Sequence, residues 1–226
     1  MLTVYSEDHA LQDGKVELVD GKLLPCFEMP RRAFLIRDRV LEVGLGPIVP
    51  PQPFPRGPVE RVHSADFVAF LETAWEQWTA TGRTDDALPW VWPTRQLRQV
   101  RPDRIDGQMG HYSFDAGTPI TAGTWAAART SADVALTAAK LLAEGTEPAV
   151  FALCRPPGHH ASVRSLEGFC FINNVKVDII RYSHPLIFPT QTVQKIRMYS
   201  VQDIMAMKIQ AILGRGKKKD FWDIAE

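Results

Sequence analysis

Ala149-Val150-Phe151-Ala152-Leu153-Cys154, running into Arg155-Pro156-Pro157-Gly158-His159-His160-Ala161, is the stretch that decides the fold. Six apolar residues in a row between Pro148 and Arg155 read as a strand covered on both faces, the signature of a parallel sheet. Before it, Thr121 to Gly145 carries Trp125, Ala128, Ala132, Ala135, Ala139 and Leu142 at helical spacing, with small residues that allow close packing. That segment predicts a long helix lying on the sheet. A helix, a buried strand and a polar loop at the strand's carboxyl end is the usual site geometry of open α/β sheets. Two adjacent histidines on such a loop can supply a general base and a second proton donor, because imidazole titrates near neutral pH.

Working outward, Met1 to Asp8 reads as a strand followed by a polar loop. It has no basic region leading into a long apolar segment, so a cytoplasmic protein is expected. Pro30 to Gly44 predicts a helix: Pro30 suits the first turn, Ala33, Ile36, Val40 and Val43 share a face, and Gly44 stops it. A Pro-rich linker spans Pro47 to Pro58. Ser64 then stands as an N-cap before Val68, Leu71, Trp75 and Trp78 on one helical face. From about Gly82 to Gly110 no period is sustained, which predicts a long loop or insertion. After Val175 the character changes. Val177 to Tyr182 is strand-like, Ser200-Val201-Gln202-Asp203 has the form of a capping box, and Val201, Met205, Ile209 and Ile212 mark a helix ending at Gly214.

With 45% hydrophobic and 23% charged residues, the 226-residue chain has the composition of an ordinary globular protein, large enough for a sizeable core. Its 26 basic and 26 acidic residues balance, so no global field favours nucleic acid or an anionic membrane. Three cysteines without a C-x-x-C pair argue against a disulfide framework, and reduced, mostly buried thiols are expected. No apolar run approaches the length of a membrane span.

Residues 1 to about 175 resemble the acetylpolyamine amidohydrolases, members of the histone deacetylase-like family. The resemblance rests on the Arg155-Pro-Pro-Gly-His-His-Ala161 loop and on Gly168-Phe169-Cys170-Phe171-Ile172-Asn173-Asn174-Val175. It also rests on Val62 to Phe67 running into Phe70 to Trp75, and on Gly117-Thr118-Pro119-Ile120 before the Trp125 helix. It implies an α/β fold with a doubly wound parallel sheet and zinc-dependent hydrolysis of an N-acetyl amide to an amine and acetate. By the resemblance, His159 is the general base and His160 its neighbour that stabilises the tetrahedral intermediate. Gly168 and Phe169 line a narrow channel, and Glu17 and Asp106 greet the second ammonium of an acetylated polyamine. Asp106 is shorter than the Glu expected there. Taken alone, Glu17 and Asp106 read equally well as solvated carboxylates; Cys170 and Phe171 read as core, and His63 and His111 as structural or surface residues. The 82–110 loop falls where the family carries an insertion that builds a homodimer.

The family's zinc ligands, an Asp-x-His pair on the next strand and a later Asp, have no counterpart here, nor has its distant Tyr. A catalytic zinc needs three protein ligands and an open position, and the later sequence offers only Asp178 and His184. Zinc is therefore expected of the family, with no ligands identifiable in this chain. The expected architecture is an incomplete doubly wound parallel sheet (residues 1–175) with a short α+β tail (176–226), its open sheet edge favouring association. The tail resembles the carboxyl-terminal part of AbiEii-type nucleotidyltransferase toxins through Val177-Asp178, Ser200 to Lys208 and Gly214 to Asp223; Asp178, Lys208 and Asp220 would match that family's site. Three readings stand: an amidohydrolase inactive in this form, a nucleotidyltransferase-type remnant, and a non-catalytic self-associating protein.

Overall fold

The computed structural model describes residues 1–94, 96, 98–166, 170–172, 186–193, 196–200, 202–204 and 206. The chain forms two compact units, Met1–Asp178 and Ile179–Glu226. In the first unit, β1 (Leu2–Val4) leads into a single 3-10 turn at Glu7–Leu11, followed by a hairpin of β2 (Val16–Val19) and β3 (Lys22–Pro25). Next come α1 (Arg31–Glu42), β4 (Ile48–Val49), the one-turn α2 (Gly57–Glu60), α3 (Ala65–Thr79), α4 (Ile105–His111), α5 (Thr124–Ala143) and β5 (Val150–Ala152). β1 lies between β4 and β5, and both pairings are parallel, with Thr3 opposite Ile48 and Phe151.

The alternation of side chains along a strand fixes what each face of this sheet packs against. Val4, Val150, Ala152 and Cys154 meet Val134, Ala138 and Leu141 of α5. Tyr5, Phe151 and Leu153 meet Ala33 of α1 on the opposite face. Helices on both faces of a parallel sheet give the doubly wound arrangement expected from the sequence. The larger core lies away from the strands, where Phe67, Phe70, Leu71 and Ala74 of α3 pack with Met109 of α4, Tyr112, Ala128 and Ala132 of α5, and Leu166 and Phe171. Tyr112 stacks on Phe70 at 4.6 Å, and its hydroxyl donates to Asp66 at 3.0 Å.

Several expectations need correction. The buried residues of α5 are Thr124, Ala127, Ala128, Ser131, Ala132, Asp133, Val134, Thr137 and Ala138, whereas Ala139 and Leu142 are exposed. Alanines crowd every side of this helix, and short hydroxyls fit close packing as well as they do, so apolarity alone gives the wrong stripe. The expected strand at 149–154 forms a ladder only over Val150–Ala152, and Phe151, Ala152 and Cys154 are half-buried rather than enclosed. Ser64 has the extended backbone of an N-cap, but its hydroxyl makes no capping bond. The 82–110 segment is irregular until α4 begins at Ile105. In α1, by contrast, the expected boundaries hold, with Gly44 at a φ of 60° just past the helix end.

In the second unit, β6 (Gln191–Val193) and β7 (Ile196–Met198) form an antiparallel hairpin that the sequence reading did not anticipate. Half of the expected capping box is present: the Asp203 N–H donates to Ser200 Oγ at 3.1 Å, while the carboxylate bonds the Ser200 hydroxyl instead of reaching back to the Ser200 N–H. The Asp203 carboxylate accepts from the backbone N–H groups of Ile187 and Phe188, at 2.8 and 3.2 Å, which ties the chain ahead of the hairpin to this turn. Val177–Tyr182 and the helix residues from Met207 lie outside the described residues.

Candidate active site

The loop that carries His159 and His160 leaves the sheet at the end of β5 and is pinned from four directions. Arg155, 2% exposed, forms an ion pair with buried Glu28 at 2.8 Å and donates to the backbone carbonyl of His9. His9, itself fully buried, donates its Nε2–H to Leu153 O at 2.7 Å, so the 3-10 turn after β1 grips the end of β5 at both points. Ser131 Oγ on α5 donates to Pro156 O at 3.0 Å, and the Phe171 N–H reaches Pro157 O at 3.3 Å. The Arg155-Pro156 peptide is cis. Further along, Ser64 N–H donates to Val163 O at 2.9 Å, and the buried His63 ring meets the backbone carbonyls of Ser162 and Val163.

These anchors carry charge into the interior, and burial decides its balance. Burial lowers the pKa of Arg155 and raises that of Glu28, while the attraction between them works the other way in each case. Burial also lowers the His9 pKa, leaving it a neutral hydrogen-bond donor. The Cys154 thiol is pushed up to about 12 by burial, which makes it inert as a nucleophile at neutral pH. Cys170 is wholly buried beneath the loop. Burial raises its pKa, and the backbone groups of His160, Ala161 and His159 oppose that rise. The reading of Cys170 and Phe171 as core holds.

Above this frame, His159 and His160 are exposed, with ring centroids 4.4 Å apart and planes inclined at 50°. They stand on the rim of a cleft of about 430 Å³, floored by Ala33 and Ile36 of α1 with Leu153, Cys154 and Pro157, and bordered by Glu28, Arg32 and Arg155. Two adjacent imidazoles at a solvent-open cleft can accept and return protons to one bound molecule. The other candidate residues are not gathered there. Glu17 on β2 is fully buried. Burial raises its pKa, opposed by the Phe27 backbone N–H and reinforced by Asp115. Asp106 on α4 bonds Arg83 at 2.7 Å and accepts from Trp90 Nε1 at 3.3 Å. Burial pushes its pKa up, but Arg83, Trp90 and Arg104 outweigh it and hold the carboxyl below its usual range. Gly168 and Phe169 lie outside the described residues. Sequence reasoning missed His9 and Glu28. Their only signal was the buried arginine at the end of an apolar strand, which requires a partner somewhere in the chain.

Among the described residues no three His, Cys, Asp or Glu side chains cluster to hold a metal ion, and no helix is long and apolar enough to cross a membrane. Residues 26–196 match the histone deacetylase domain. The chain is 55% identical over 177 residues to acetylpolyamine amidohydrolase 2 of Pseudomonas aeruginosa, covering 78% of this chain and 51% of that protein. It is 44% identical over 177 residues to the acetylpolyamine amidohydrolase of Mycoplana ramosa, covering 78% of this chain and 52% of that one. The crystal structure of an acetylpolyamine aminohydrolase from Burkholderia pseudomallei superposes with a TM-score of 0.70 at 33% identity, over 77% of this chain and 50% of that one. The chain thus spans about half the length of the curated relatives it matches. A parallel sheet with helices on both faces, a His-His loop at the end of β5 and these matches together show that the chain belongs to the histone deacetylase domain family.

Proposed function

We propose that residues 1–175 carry the proton-transfer part of an N-acetyl amide hydrolase that acts on acetylated polyamines in the cytoplasm, and that the chain does not turn over by itself. The observation that carries this reading is the exposed His159–His160 pair on the rim of the cleft, in a chain so similar to acetylpolyamine amidohydrolases. His159 takes the proton of the attacking water. His160 stabilises the developing oxyanion and holds the proton that the departing amine needs, so that the C–N bond breaks to acetate and a free amine. Arg155, His9 and Ser131 hold the loop in position for both steps.

In the family, zinc would polarise the acetyl carbonyl and activate the water. The described part of this chain does not fit a catalytic zinc, since it gathers no set of three donors. That mismatch is the ground for expecting no turnover from the chain alone. Gly168 and Phe169 would form the channel wall. Of the two carboxylates assigned to the substrate's second ammonium, Asp106 would exchange Arg83 for it, and Glu17 would serve only after being uncovered. The 82–110 segment would serve the homodimer.

For residues 176–226 the nucleotidyltransferase-like reading, with Asp178, Lys208 and Asp220, is kept as the alternative. The division of the chain at Asp178–Ile179 supports a boundary there, and the family match through residue 196 speaks against it. Acetate release from a mono-acetylated diamine, with zinc supplied, tests the main reading. None is expected from the chain alone. Release that is abolished by His159→Ala would show a complete metal site within it, and nucleotide binding lost on Lys208→Ala would favour the alternative.

A further inference from the structure

We infer that His9 and His63, two buried histidines that take no part in the proposed proton transfer, clamp the two ends of the loop carrying His159 and His160 and release it when they take up protons. Both come from segments distant in sequence from that loop. At its start, His9 donates its Nε2–H to Leu153 O at 2.7 Å, and the His9 carbonyl accepts from Arg155. At its end, the His63 ring meets the backbone carbonyls of Ser162 and Val163, and the neighbouring Ser64 N–H donates to Val163 O at 2.9 Å. His9 and His63 are 0% and 2% exposed.

Such a clamp holds while its imidazoles are neutral. An imidazolium is costly to bury, so proton uptake favours any state in which the ring reaches water. Burial opposes a charge on His9 most strongly, and the Arg155 guanidinium, paired with Glu28, adds to that; the Leu153 and Arg155 backbone groups and Asp8 on the same turn favour the charge but are outweighed. Tyr5 at the end of β1 presents its ring at 5.1 Å, and α5 reaches this turn through Thr130, which bonds Asp8. Beside His63, the Phe67 ring of α3 lies at 5.3 Å. The flanking charges there attract one another, Asp66 with Arg164 and Glu60 with Arg56. Burial again outweighs the backbone groups that favour charge. The folded pKa of each histidine is thus lowered from 6.5, so the clamp is intact above that pH and yields as pH falls through the folded values. Released at both ends, the loop no longer holds its imidazole pair at the cleft rim. The consequence for catalysis rests on the function proposed above; the clamp itself does not.

The test is amide hydrogen exchange, followed by NMR on the full chain from about pH 7.5 to about pH 5.5 and corrected for the intrinsic rate. The reporters are the N–H groups of Ser64 and Ser162, each bonded at 2.9 Å, to Val163 O and Ser165 O, with Ile120, bonded to Ala87 O at 3.0 Å, as the reference in the core. Protection of the two serines should fall by up to about tenfold per pH unit below 6.5 for each of the two linked protons. Sub-denaturing urea should leave their exchange unchanged while speeding that of Ile120, because the opening is local. His9→Gln and His63→Gln, which keep an uncharged N–H donor, should each halve the logarithmic slope. Protection independent of pH, a slope that either variant leaves unchanged, or exchange that follows urea in step with Ile120 would overturn the inference. Where a variant does not fold, the imidazole resonances of the unaltered chain decide: midpoints below 6.5 are expected for both rings, and one at or above 6.5 would overturn it. None of these readouts involves acetate release, so this inference and the catalytic reading fail separately.

Discussion

Arg155 shows how one buried charge organises a loop. Its guanidinium joins Glu28 on the segment before α1, the carbonyl of His9 on the opening turn, and β5 through its own backbone. Replacing it with methionine leaves the buried Glu28 carboxylate with the largely exposed Arg32, at 3.3 Å, in place of its buried partner, and breaking a buried pair costs up to about 3–5 kcal/mol. Urea unfolding of Arg155→Met should show a loss of up to that size. His9 makes stability depend on pH. Burial lowers its folded pKa below the ordinary 6.5, so below that pH the unfolded chain binds the proton that the folded chain refuses. The stabilisation is present above the unfolded pKa and is lost as pH falls through the folded one. Glu17 and Glu28, whose pKa values burial raises, work in the opposite sense as they protonate. The comparison with His9→Asn isolates the histidine: from about pH 7 to about pH 5.5 the parent's urea midpoint should fall more steeply than the variant's. At this scale the sequence was partly legible. His159 and His160 stand out because a polar loop follows an apolar strand, whereas Glu28 and His9 meet Arg155 only through the fold.

Among the elements, α5 and the opening turn are packed so closely that one position permits only glycine. A Cβ at Gly123 would lie 2.2 Å from the Leu11 carbonyl oxygen and 2.6 Å from Leu11 Cβ. Gly123→Ala must push the turn off the helix, and with it the His9 contacts to β5. Overpacking of this kind costs about 1–3 kcal/mol, and thermal unfolding of the variant should show it. The long helix and the β5 strand could be read from periodicity and from an unbroken apolar run. The face of α5 could not, because Thr124, Ser131 and Thr137 are buried where a hydrophobic pattern is looked for. The β6–β7 hairpin was equally hidden: the residues between its strands, Gln194 and Lys195, are not the Gly or Asn pair that marks a tight hairpin.

Across the whole molecule, a parallel sheet sandwiched by α1 and α5 holds an imidazole pair at the rim of an open cleft. Family membership was legible from short motifs, because the loop residues and the elements around them occur together in order. The described residues offer no set of metal donors. The proposed chemistry rests on the His159–His160 pair. The most direct measurement is acetate release from a mono-acetylated diamine by the chain with zinc present, beside its His159→Ala variant. No release is expected from the chain alone; if any is found, His159→Ala should reduce it by at least about a hundredfold, the size expected for a general base. Release abolished by His159→Ala would contradict the expectation that the chain does not turn over alone, and release that persists with His159→Ala would contradict the role assigned to this histidine pair.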